Sequence, residues 1–163
     1  MKRRIRTRSL PVLAVSSVAL ALLAVGASSA TALTGPVTRV FSFIGKPNSK
    51  TVTLVNIDSL LINARCNAKG APVVYAFSSS TNADVFVRVY DGYGRLHIFK
   101  NTAFTAKTKG VLLSPTSGDF DSTGTMLFEN ASGKVVNVSF AFDNSTTLSG
   151  LNVCTVFGSV IAT

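Results

Sequence analysis

From residue 37 onward, apolar and polar side chains alternate with a period of two almost everywhere, and few windows show helical spacing. Alternation of this kind sends successive side chains to opposite faces of an extended chain, so it predicts half-buried strands. Residues 37–44 and 51–57 form the first two, parted by the turn former Gly45-Lys46-Pro47-Asn48. A third, over 59–66, gathers Leu60, Ile62, Ala64 and Cys66 on one face, with Asn63 and Arg65 on the other. Gly70 and Pro72 mark the turn before a strand over 73–79. Residues 83–90 direct Val85, Val87 and Val89 inward and Arg88 and Tyr90 outward. The turn Asp91-Gly92-Tyr93-Gly94 is rich in residues that tolerate positive φ. It leads into residues 95–100, where Leu96 and Ile98 are expected inside and His97 outside, and then into 110–113.

The last third repeats the pattern. Strands over 123–129 and 134–142 flank the hairpin sequence Asn130-Ala131-Ser132-Gly133, and Val136, Val138, Phe140 and Phe142 share a face. A final strand over 152–161 aligns Cys154, Val156 and Val160. Nine or ten short strands at this spacing predict an all-β fold, an antiparallel sandwich. A jelly-roll-like arrangement is preferred to an immunoglobulin-like one, because the packing Trp of antibody domains is missing.

The first 32 residues follow a different grammar. Lys2, Arg3, Arg4, Arg6 and Arg8 precede an apolar run over 10–27, and Ala30-Thr31-Ala32 then offers small side chains. This is the order of a secretory signal, with cleavage expected after Ala32 and a second site after Ala30. The run is short of hydrocarbon for a stable membrane span. Two domains of the reading follow: a signal over 1–32, with its helix, and a single β-sandwich over 33–163. The expected location is secreted or cell-surface.

Setting the signal aside changes the charge. Of 16 Lys and Arg, five lie within it, leaving 11 against 7 Asp and Glu, a net +4 instead of +9. The remaining cations are scattered, whereas a nucleic-acid partner calls for clustered charge interleaved with stacking aromatics. No nucleic acid is expected. Outside the cytoplasm, the two cysteines, Cys66 and Cys154, have one intramolecular pairing, so a Cys66–Cys154 disulfide is predicted.

Catalytic chemistry is thinly supplied. Residues 33–163 hold one His, His97, and one Glu, Glu129. A hydrolase would need His97 beside a Ser and an orienting Asp drawn from Asp91, Asp119 or Asp121, and no serine sits in a Gly-x-Ser-x-Gly elbow. Zinc lacks the His and Cys ligands it requires, and no cofactor is implied. Asp119 and Asp121, two apart beside hydroxyls, could give oxygens to Ca²⁺. A polar turn in which they bond local backbone explains them more simply. Tyr90 and Tyr93 bracket a turn and could stack on a sugar ring, though tyrosines suit any partly exposed surface; with His97 they are the candidate binding residues. Sequons occur at Asn130, Asn137 and Asn144 and read as accidents of an Asn/Ser/Thr-rich chain.

Three segments carry a resemblance: Leu61-Ile62-Asn63-Ala64-Arg65-Cys66-Asn67, the stretch from Ser132-Gly133-Lys134 through Phe140-Ala141-Phe142-Asp143, and Asn152-Val153-Cys154-Thr155-Val156-Phe157-Gly158. In these the chain resembles a group of uncharacterised exported β-rich proteins of high-GC Gram-positive bacteria. The resemblance implies strands, a hairpin and two cysteines, and brings no catalytic residue. The expectation is therefore a non-enzymatic secreted or cell-surface sandwich acting by binding or assembly, on an extracellular ligand or as a homo-oligomer. Its rival is a secreted hydrolase built on His97.

Overall fold

The computed structural model describes residues 35–114, 121–143 and 153–163. Every regular element among them is a strand: β1 Val37–Gly45, β2 Val52–Ile57, β3 Leu60–Cys66, β4 Pro72–Ser78, β5 Asp84–Tyr90, β6 Leu96–Asn101, β7 Val111–Leu112, β8 Ser122–Glu129, β9 Val135–Asp143 and β10 Cys154–Ala162. The ten stretches of alternation each become one of these. The signal segment, Asp119 and Asn144 lie outside the described residues.

Two antiparallel sheets pack face to face as a β-sandwich. One has six strands in the order β1-β10-β9-β8-β5-β6, the other four in the order β2-β3-β4-β7. Much of each sheet comes from hairpins between sequence neighbours, β2-β3-β4 and β8-β9-β10. Interleaving of distant strands, the mark of a jelly roll, is confined to the pairs β1–β10 and β5–β8 in the larger sheet and β4–β7 in the smaller. The core lies between the sheets, where Leu60, Ile62, Val74, Val85, Val87, Val136, Val138 and Val156 are all buried. Phe104, on the crossing from β6 to β7, is fully buried edge-to-face against Phe128. It anchors the segment that carries Lys100, Lys107 and Lys109.

The sheets are fastened at both ends of β3. Beyond Leu60, the turn residues Asp58 and Ser59 take positive φ values of 45° and 74°, as a two-residue hairpin loop of the type I′ kind requires. The Asp58 carbonyl accepts from Asn130 Nδ2 at 3.0 Å, and its carboxylate pairs with Lys134 Nζ at 3.0 Å. At the other end, Cys66 of β3 is disulfide-bonded to Cys154 of β10, with Cα atoms 5.8 Å apart and both residues fully buried. The predicted bridge is therefore present, and it joins the two sheets.

Candidate functional site

Three turns in this fold share one construction. Asn67, Asp91 and Asn130 each receive, at the carbonyl, the N–H of a glycine three residues on, and each donates its own N–H to the residue after that glycine. The glycines, Gly70, Gly94 and Gly133, have φ of 76°, 74° and 78°, a left-handed conformation that only glycine takes cheaply. In each turn the side-chain Oδ1 of the first residue accepts two further backbone N–H groups. The donors are Lys69 and Ala71, Tyr93 and Arg95, and Ser132 and Lys134. An Asn satisfies this turn twice. The negative charge at Asp91 is therefore more than the turn demands.

That extra oxygen is occupied. Asp91 Oδ2 accepts from Arg95 Nε at 2.8 Å and lies 3.0 Å from His97 Nε2. The Asp91 side chain is 2% exposed, whereas those of Arg95 and His97 are 62% and 58% exposed. The His97 hydrogen bond, above all, holds the Asp91 carboxyl far below the usual carboxylate range. Bonds from Arg95 and its charge act the same way, against the opposing effect of burial. A carboxylate without a proton can only accept, so His97 Nε2 carries the hydrogen and Nδ1 is left for other partners.

His97 stands on the inner face of the larger sheet, which corrects the expectation of an outward histidine with Leu96 and Ile98 inside. Its cross-strand partner is the buried Val89, while Leu96 and Ile98 pair with Tyr90 and Arg88 on the outer face and are exposed. The reason is one residue of turn. With a two-residue loop closed by positions 91 and 94, Leu96 would face Val89. The three-residue loop closed by 91 and 95 shifts the register by one and turns every β6 side chain over.

The six-stranded sheet is two strands wider than its partner, and the inner face of β6 remains exposed, Phe99 included. There a cleft of about 320 Å³ opens between the larger sheet and β7. Val87, Val89, Phe99, Leu112 and Leu113 give it apolar walls, and Asp91, Arg95, His97 and Ser114 give it polar ones. Ser114 Oγ accepts the Val74 N–H at 3.1 Å. Among the described residues no serine hydroxyl is hydrogen-bonded to His97.

The other sequence candidates do not converge here. Tyr90 lies on the outer face opposite Leu96. Tyr93 is exposed in the turn and stacks under the Arg95 guanidinium, 5.1 Å from ring centre to Cζ. The two tyrosines make no common platform. Asp121 is described and Asp119 is not, and no group of three or more His, Cys, Asp or Glu side chains suited to a metal occurs among the described residues. The sequon residue Asn130 spends Oδ1 and Nδ2 inside the fold. Arg95 and Ser114 were not singled out by sequence; the Asp91-x-x-Gly94 turn, matched with Asn67-x-x-Gly70 and Asn130-x-x-Gly133, is the signal that would have pointed to Arg95.

Replacing Asp91 with Asn keeps the turn acceptor and removes the charge. A carboxyl with a depressed folded-state pKa contributes stability that is complete above its unfolded value, near 4, and is lost as pH falls below that toward the folded value. The wild-type melting temperature is therefore expected to fall more steeply than that of Asp91→Asn between pH 4 and pH 2. Thermal melts monitored by circular dichroism across that window check it; parallel curves would disprove the assignment.

Comparison with family models, curated proteins and solved structures returns no match for this chain.

Proposed function

We propose that this protein is an exported, non-enzymatic binding domain whose ligand site is the cleft bounded by β5, β6 and β7. The observation that carries the reading is the charged Asp91 in a turn that needs only an Asn, holding Arg95 and His97 at the rim of a cleft of mixed polar and apolar lining. Clefts of a few hundred Å³, mostly apolar with a few fixed polar groups, are the usual form of small-molecule sites. Export is supported by the basic, apolar, small-residue order of the first 32 residues and by the intersheet disulfide, which oxidising compartments favour.

The test is nuclear magnetic resonance of the oxidised protein with mixtures of small apolar and amphipathic compounds. Shifts are expected at His97, Phe99 and Leu113, and Phe99→Ala, which removes the exposed apolar wall of the cleft, should weaken binding at least severalfold. Shifts confined to other surfaces would overturn the site.

The His97–Asp91 pair, at 3.0 Å, supports one second reading, a hydrolase in which Ser114 of the same cleft is the nucleophile. In that reading the Asp fixes the imidazole while its other nitrogen takes the serine proton. Ester turnover lost in both Ser114→Ala and His97→Gln would establish it. No turnover in the wild type, with ligand binding intact, leaves the binding domain.

A further inference from the structure

We infer that the cleft takes a molecule with an apolar body and a single carboxylate, its head seated on Arg95. The inference rests on the cleft being a binding site and follows from counting hydrogen-bonding capacity there. Asp91 already receives two backbone N–H groups, Arg95 Nε and His97 Nε2, so all its lone-pair directions are spoken for and it lies almost wholly inside the fold. It has nothing left for an ammonium or hydroxyl donor. Apart from the acceptor His97 Nδ1, the spare capacity is of the donor kind. Among the described residues Arg95 uses only Nε, which leaves its two terminal nitrogens, and Ser114 accepts from Val74 with its own proton uncommitted.

Two parallel N–H groups at the end of a guanidinium match the two oxygens of a carboxylate. The neighbouring Asp91 charge balances Arg95, so one further negative charge is tolerated better than the two of a phosphate monoester. The ring of Tyr93 under the guanidinium and the Asp91 oxygen on Nε together fix the plane of the fork before a ligand arrives. The body of the ligand then lies against Phe99, the exposed apolar side chain of the cleft, over a floor made by the buried Val87, Val89 and Leu113, and removes the Phe99 surface from water.

Octanoate, 1-octanol and octylamine share a chain and differ in the head, so titrating each into the oxidised protein, followed by the resonances of cleft residues, separates the two claims. Octanoate is expected to bind at least tenfold more tightly than octanol, and octylamine no better than octanol. Arg95→Gln should cost octanoate about tenfold to a hundredfold, the range of a lost charge-assisted hydrogen-bonded pair. Lys100→Gln, on the outer face of β6, should cost nothing. Equal affinities for the three heads, or octanoate binding that survives Arg95→Gln, would overturn the carboxylate while leaving the cleft a binding site. Failure of all three to move cleft resonances would count against the binding reading itself.

Discussion

Alanine at both Cys66 and Cys154 is expected to lower the melting temperature by about 10 °C or more. Loss of a native disulfide costs roughly 2–5 kcal/mol, and each kcal/mol moves the midpoint of a domain of this size by about 4 °C. The bridge spans 88 residues of sequence, so in the chain-entropy account it restricts the unfolded chain strongly. It also fastens the larger sheet to the smaller at the end of β3 away from the Asp58–Lys134 pair. Melts of the wild type with and without reductant should reproduce the effect of the double substitution. A change below about 2 °C would mean that the two sheets hold together without the bridge.

Alanine at Gly158 is expected to be comparably severe, and for a different reason. Gly158 lies in β10 between Phe41 of β1 and Phe140 of β9, and Gly124 of β8 flanks Phe140 on its other side. The two glycines leave room over which the phenyl rings lie. A Cβ at Gly158 would overlap the backbone oxygen of Ser139 and stand 2.6 Å from the Phe41 ring. A ring can rotate away, but a ladder carbonyl cannot without breaking the sheet. Overpacking of this kind costs about 1–3 kcal/mol, with the upper end expected here because the obstacle is backbone. Phe41→Leu should therefore fail to rescue Gly158→Ala.

Gly45 provides the contrast. The atoms nearest a Cβ there belong to side chains, Cys66 Sγ at 2.6 Å and the Phe43 ring. Gly45→Ala should destabilise the disulfide-bonded protein more than the Cys66→Ala/Cys154→Ala background. Denaturant melts of the four combinations measure that coupling, and additive effects would refute it. Gly35, with nothing near its Cβ position, is the neutral control.

How much of this could be read from sequence depends on how local each cause is. The strands were legible because period two survives any sheet order, and the bridge because two cysteines in phase with apolar residues leave one pairing. The orientation of His97 was not, since a single extra loop residue decides it and the same Asp-Gly-Tyr-Gly string can close a loop of two residues or three. The cleft was less legible still. It exists because one sheet is wider than the other, and its wall includes Leu112, Leu113 and Ser114, around a β7 only two residues long. No local pattern marks those residues. The charge of Asp91 gains its meaning only beside the two asparagines that do the same job without it.

The pairing of β1 with β10 has a consequence in time. The only ladder partner of β1 among the described strands is β10, and Val37 lies opposite Ala162. β1 thus waits for β10, and Cys154, which completes the bridge, arrives with it. Contacts of such long sequence separation fold slowly and late. A nascent chain of this kind cannot complete its larger sheet, or attach β1 to it, until β10 has been made.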